Sequence, residues 1–304
     1  MQYFALHLER NLFSLHEELV DGLYKHGSYE TFFVRDPKLR HIHKATVRDR
    51  VLHQAVFRSL NYSFDRRFIF DSYSCRVRKG AHAGVRRLND FVRKTTANGH
   101  REAWVLKCDI RKFFDNVQHG ILRALLGKGV RDIRTLSLLD QVIGSFDLGG
   151  GRGLPLGNVT SQLFANVYLN ELDRFVKHEL AEPYYLRYCD DFLIVRPEPE
   201  YLEVALPRVR DFLHDKLLLD LHPHKVSIQK LQHGTDFLGY IVFTTHTILR
   251  TTSKRRALRC VTKNNLMSYL GMCSHASAHG VSIDLRRRAA SGPTSSFSTL
   301  NHTS

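Results

Sequence analysis

Short apolar runs in this chain carry acid where acid is costly. Residues 184–195, YYLRYCDDFLIV, are two strand-like runs meeting at Asp190 and Asp191, and residues 103–110, AWVLKCDI, place Asp109 near the end of a third. A carboxylate among apolar strands must be paired, hydrogen-bonded or neutralised. The adjacent pair therefore reads as the turn of a tight hairpin, and Asp109 as a strand end. Taken singly, each acid is ordinary turn or strand-end chemistry. Taken together they admit a second reading. If strand and hairpin share one sheet, the carboxylates converge at its edge, where hard oxygen ligands suit Mg²⁺. Two such ions about 3.5–4 Å apart serve in-line phosphoryl or nucleotidyl transfer.

The rest of the composition decides what such a site would act on. The chain has 304 residues, 43% hydrophobic and 25% charged, which excludes a fibrous or low-complexity polymer. Its 45 Lys and Arg against 30 Asp and Glu leave a net charge of +15, pointing to a polyanion: RNA, DNA or an anionic membrane surface. No apolar run approaches the roughly 20 residues that span a bilayer, so a membrane is not expected. The N-terminus, MQYFALHLERNLFSLHEEL, has the charges and spacing of an amphipathic helix rather than of a signal peptide. Its 5 cysteines (Cys75, Cys108, Cys189, Cys260, Cys273) are scattered without CxxC spacing, which favours free thiols and a cytoplasmic location.

Periodicity predicts helices across residues 1–60, interrupted by a basic stretch, KLRHIHK at 38–44, that reads as a solvated surface. Residues 71–88, DSYSCRVRKGAHAGVRRL, read as a loop or β-ribbon against phosphates, or as a solvated turn. A glycine-rich loop, GGGRGLPLGN at 149–158, precedes a long amphipathic helix capped by Thr160 or Ser161. A strand or hairpin is expected at 237–243, basic helix over 253–272, and disorder from about Arg286.

In order and company these segments resemble reverse transcriptases. VLKCDIRKFFDNV (105–117) and RYCDDFLIV (187–195) are similar to the first and third palm motifs, with the YxDD box at Tyr188–Asp191. DSYSCRVRKGAHA (71–83) resembles the fingers motif, GLPLGNVTSQ (153–162) the motif between the carboxylates, and Lys225 within DLHPHKVSI, then FLGY (237–240), the next two. The resemblance covers roughly residues 35–275. It implies an α+β right-hand polymerase: helical and β fingers, a palm with an antiparallel sheet, and a short helical thumb. The divisions would be 1–102 for N-terminal helices and fingers, 103–245 for palm and primer grip with an insertion near 118–150, 246–285 for thumb, and a disordered tail at 286–304.

The same resemblance assigns roles. Asp109, Asp190 and Asp191, with the Ile110 carbonyl, would hold two Mg²⁺ ions, or Mn²⁺ in their place. Lys225 would donate a proton to pyrophosphate, and Phe114 would crowd a ribose 2′-hydroxyl. Arg76 and Lys79 would clasp the triphosphate. Leu156, Gly157, Asn158 and Gln162 would line the nucleotide site, while Phe237, Leu238, Gly239 and Tyr240 would grip the primer. Implied partners are template RNA, a DNA or RNA primer with its cDNA, and dNTPs.

Leu156-Gly-Asn-Val-Thr-Ser-Gln162 and SYSCRVRKG further resemble the enzymes of diversity-generating retroelements. That subfamily implies copying with errors at template adenines, a small basic accessory protein, and a bacterial or phage-encoded cytoplasmic enzyme. Neither an appended maturase, nuclease or zinc-finger region nor the auxiliary retron motifs are legible. A group II intron-like or phage-defence enzyme, or a catalytically idle RNA-binding derivative, are the alternatives.

Overall fold

The computed structural model describes residues 2–35 and 38–291. Along the chain run α1 (Gln2–Leu6), α2 (Leu8–Val20), β1 (Glu30–Arg35), β2 (Leu39–Lys44), α3 (Val47–Asp65), α4 (Ala81–Thr95) and β3 (Trp104–Asp109). Then follow α5 (Phe113–Asn116), α6 (His119–Gly127), α7 (Ile133–Gly144), α8 (Val159–Arg174), β4 (Tyr185–Tyr188), β5 (Asp191–Arg196) and α9 (Pro199–Leu217). The remainder is β6 (Ser227–Lys230), β7 (Thr235–Phe237), β8 (Tyr240–Val242), β9 (Thr247–Leu249), α10 (Thr251–Cys260), α11 (Leu266–Cys273) and α12 (His279–Ser291). The chain forms two compact units, one of residues 1–80, 106–194 and 200–227, the other of 81–105, 195–199 and 228–304.

The first unit is organised around α8. Leu163, Phe164, Tyr168, Leu169 and Leu172 are buried there, but so are Thr160, Ser161, Asn166, Asn170 and Asp173. The helix is thus covered nearly all round, and an amphipathic reading understates it. It begins after Asn158 in extended conformation, with Thr160 and Ser161 already inside its first turn; Ser161 Oγ donates to the Pro155 carbonyl at 2.7 Å. α3 and α6 pack on α8, and the Thr46 hydroxyl caps α3 by accepting from Asp49 N.

Residues 1–60 are not all helical. ETFFVR and LRHIHK pair as an antiparallel hairpin, from Glu30↔Lys44 to Arg35↔Leu39, because Thr31, Phe32, Phe33, Val34 and Ile42, all β-branched or aromatic, favour a strand over the helix implied by their neighbours. Both strands are largely exposed. Beyond Asp71 the expected loop or ribbon is a turn-rich segment joined to β4 by a parallel bridge, Ser72↔Arg187. Strands β4 and β5 form the expected tight hairpin, Tyr185↔Ile194 to Tyr188↔Asp191, and join a four-stranded sheet of order β4-β5-β3-β6.

In the second unit β7, β8 and β9 form an antiparallel meander. The basic stretch at 253–272 is helical over most of its length, in two helices, α10 and α11. The expected disorder from Arg286 does not hold for its first residues: α12 runs to Ser291 because Val281, Leu285 and Ala289 bury a stripe at helical spacing. Residues 292–304 lie outside the described residues. All five cysteines are free, and among the described residues no helix is long and apolar enough to cross a membrane.

Candidate active site

The three aspartates meet through backbone. β3 ends at Asp109, and the hairpin turn brings Asp190 beside it: Ile110 N donates to the Asp190 carbonyl at 3.2 Å. A third segment straps the junction. Arg111 N donates to the Asp220 carbonyl, and His222 N to that of Asp109, both at 2.8 Å, with Ile110 bridged to Leu221. This strap delivers Lys225, whose Nζ lies 2.7 Å from each carboxylate oxygen of Asp109. Sequence order did not foretell that pairing, because His222 and Lys225 lie in a loop with no periodicity.

The electrostatics are unbalanced. Burial, then the charge of Asp109, pushes Asp190 above the usual carboxylate range. Burial pushes Asp191 up to about 6; nearby Lys107 opposes this, while Asp190 and Asp109 reinforce it. Burial and the neighbouring carboxylates keep both half-buried acids raised despite Lys107 and Lys225, so added positive charge is favoured there, and an all-oxygen donor set suits a hard divalent ion. Among the described residues no three His, Cys, Asp or Glu side chains form a ready-made cage, and Asp109 is paired with Lys225.

The surrounding positions divide. Phe114 is half-buried and edge-on to Phe113, which is core and also faces Tyr168. The Leu156 carbonyl accepts from His43 N at 2.9 Å, and Gln162 is exposed on α8. Gly157 is required by its surroundings: at φ +110°, a Cβ would stand 2.8 Å from Ile42 Cγ2. Asn158, expected at the nucleotide site, is bonded to the hairpin side. Its buried amide accepts from Ala45 N at 3.3 Å and donates to the His43 carbonyl at 2.8 Å, tying the hairpin to the start of α8.

Arg76, expected as a phosphate cation, is bonded within its own segment. Its guanidinium is nearly buried and donates to Asp65 Oδ1 at 2.6 Å and to the carbonyls of Asp65, Ile69 and Ser72. A guanidinium saturated by its own segment has little left for a ligand. Lys79 Nζ donates to the Phe70 carbonyl at 2.8 Å and lies over the Phe70 and Tyr73 rings.

FLGY belongs to the second unit. Phe237 pairs with Tyr240 across a two-residue turn in which Leu238 and Gly239 both have positive φ. Phe237 and Tyr240 are core residues, Tyr240 OH donating to the Met272 carbonyl at 3.0 Å, so only Leu238 and Gly239 present themselves outward.

Sequence reasoning missed a buried network behind the turn. Arg187, fully buried, grips the equally buried Asp173 of α8 through two bonds of 2.7 and 2.6 Å. Its signal was present: a lone cation inside an apolar strand requires a buried partner.

Residues 34–242, over two thirds of the chain, match the family described as reverse transcriptase (RNA-dependent DNA polymerase). Protein YkfC of Escherichia coli is 26% identical over 288 residues, covering 81% of this chain and 73% of that protein. The group II intron-encoded protein LtrA of Lactococcus lactis is 22% identical over 303 residues, covering 76% of this chain and 49% of LtrA. Among solved structures, apo telomerase from Candida tropicalis superposes with a TM-score of 0.60 at 10% identity, covering 87% of this chain and 56% of that one. Telomerase from Candida albicans, bound to a fragment of telomeric RNA, gives 0.57 over 88% and 53%. The chain thus spans about half the length of LtrA and of the telomerases, and its fold is the right-hand polymerase fold.

Proposed function

Because the chain belongs to the reverse transcriptase (RNA-dependent DNA polymerase) family, we propose that it copies template RNA into cDNA from a DNA or RNA primer, using dNTPs. The observation that carries this reading is the junction of Asp109 and Asp190, where half-buried carboxylates meet at the end of β3 beside Lys225. Asp109 and Asp190, assisted by Asp191 and the Ile110 carbonyl, would hold two Mg²⁺ ions, with Mn²⁺ as a substitute. When bound, such ions lower the pKa of the attacking hydroxyl and neutralise charge developing on the triphosphate and leaving pyrophosphate. The chain's own residues supply the rest. Lys225, released from Asp109, is a proton donor for pyrophosphate within reach of the same carboxylate. Phe114 offers a ring against the ribose 2′ position, and Leu156, Gly157 and Gln162 border the nucleotide. Residues 1–102, 103–245 and 246–285 would serve as fingers, palm and thumb, with Leu238 and Gly239 touching the primer.

The residues LGNVTSQ and SYSCRVRKG favour an error-prone enzyme of a diversity-generating retroelement, working with a small basic accessory protein. The similarity to LtrA favours a second reading, a group II intron-like enzyme. The test is primer extension on an RNA template with dNTPs and Mg²⁺. Wild-type protein should make cDNA, and Asp190→Ala and Asp191→Ala should each lose it by at least about a hundredfold. Equal product from the variants would sink this site. Sequencing the cDNA separates the subfamilies: errors concentrated at template adenines favour the first, and an even spectrum the second.

A further inference from the structure

Arg187 is an expensive residue to place where it stands. It and Asp173 are both fully buried. Replacing such a pair with apolar side chains is often neutral or stabilising, so stability alone does not account for it. Its donors show what else it does. Nε and Nη2 take the two oxygens of Asp173 at 2.7 and 2.6 Å, and Nη2 also reaches Ser72 Oγ at 3.3 Å. Nη1 reaches Asn166 Oδ1 at 3.3 Å and the Cys189 carbonyl at 3.0 Å. Every N–H of the guanidinium has an acceptor. The acceptors lie on three separate pieces of chain: helix α8, the segment after Asp71, and the turn carrying the acids. The backbone of Arg187 repeats the tie, its N donating to the Asp71 carbonyl and its carbonyl accepting from Tyr73 N, both at 2.9 Å.

The Cys189 carbonyl is the telling partner. Tyr188 pairs with Asp191, so Cys189 and Asp190 are the two turn residues, and Cys189 has φ 55°. A two-residue turn with positive φ at its first position prefers glycine there, and a residue with a Cβ holds that conformation only when its surroundings impose it. We infer that Arg187, clamped by Asp173, is a positioning residue that latches the Cys189 carbonyl and so aims the Asp190 carboxylate at Asp109. This rests on the polymerase reading above for the metal site and for its kinetic consequence. The rotamer of Arg187 is fixed by a bidentate pair in a dry core, so the constraint it exerts on the turn is rigid.

The test uses R187M/D173N, which removes both charges together and keeps an amide oxygen for the Tyr185 hydroxyl that now bonds Asp173. Three readouts are taken: thermal midpoint, Mn²⁺ binding by electron paramagnetic resonance without substrate, and single-nucleotide extension. The expected result is a folded protein that binds Mn²⁺ about tenfold or more weakly, as loss of an outer-sphere support does. Its kcat should fall by a similar factor with the KM for dNTP unmoved. Adding Cys189→Gly should recover part of both losses, because glycine takes positive φ without help. If the double variant does not fold, Arg187→Lys, which keeps a cation on Asp173 but not the reach to Cys189, is read in the same way. Wild-type Mn²⁺ affinity and kcat in a folded variant overturn the inference, as does a loss that Cys189→Gly leaves wholly unrecovered. Failure of the polymerase reading is seen separately, as a wild type that makes no cDNA while the Mn²⁺ measurements still report on the turn.

Discussion

Individual side chains in this protein are often set by what they face inside the fold, and His53 is the clearest case. It is 1% exposed, its Nε2 lies 3.1 Å from His26 Nε2, and its Nδ1 has no hydrogen-bond partner among the described residues. Burial first, then the His26 ring, lowers its pKa to about 4, with Asp49 opposing. Between about pH 6.5 and pH 4 the unfolded chain binds a proton that the folded chain refuses, so stability falls as pH falls through that window. The contribution lost is on the order of 3 kcal/mol. His53→Gln should flatten that part of the acid limb in urea titrations at pH 7, 5.5 and 4.5; an unchanged limb would show that other groups carry it. Leu156 is a second residue-scale test. Its structural bond to His43 is made by its backbone and survives substitution. If Leu156 borders the nucleotide as proposed, Leu156→Gln should therefore change error frequency at template adenines without changing the melting midpoint. An identical error spectrum in sequenced cDNA would detach Leu156 from fidelity.

At the scale of elements, the β1–β2 hairpin has few buried side chains, and its position depends on the loop before α8. Asn158 supplies two bonds to it and Leu156 a third, while Gly157 allows the approach to Ile42. Asn158→Ala should cost about 1–3 kcal/mol by stranding a buried carbonyl and N–H. Hydrogen exchange should rise at Ala45 and His43 before it rises in α8; exchange that rises uniformly would mean global destabilisation instead. The hairpin was not legible in the chain because ETFFVR and LRHIHK are short and flanked by strong helical patterns, and pairing needs a partner strand that periodicity does not supply. The β4–β5 hairpin was legible, because two apolar runs broken by adjacent acids leave few other arrangements. α8 was legible as a helix but not as a wholly buried one: Asn166 and Asp173 look solvent-facing until their partner Arg187 is known, and Asn170 is buried beside them on the same helix.

For the molecule as a whole, the +15 charge remains the widest constraint. A chain that meets primer and template through backbone phosphates releases counterions, so its affinity for a primer–template duplex should fall about linearly on a log–log plot against salt, with a slope of several units. A slope near zero in fluorescence anisotropy between 50 and 300 mM salt would assign the charge elsewhere. Family membership, the hairpin of acids and the positions of Asp109, Asp190 and Asp191 follow from the sequence itself, because acids inside apolar strands and ordered motifs are local patterns. Which cations serve the site does not. Arg76 and Arg187 are both arginines beside motif residues, yet one is spent on Asp65 and its neighbouring carbonyls, and the other is locked to Asp173 behind the turn. Lys225 meets Asp109 only because the strap from Asp220 pairs with the end of β3. A side chain's charge is written in the sequence, but its role depends on which acceptors lie within 3 Å, and only tertiary packing decides that.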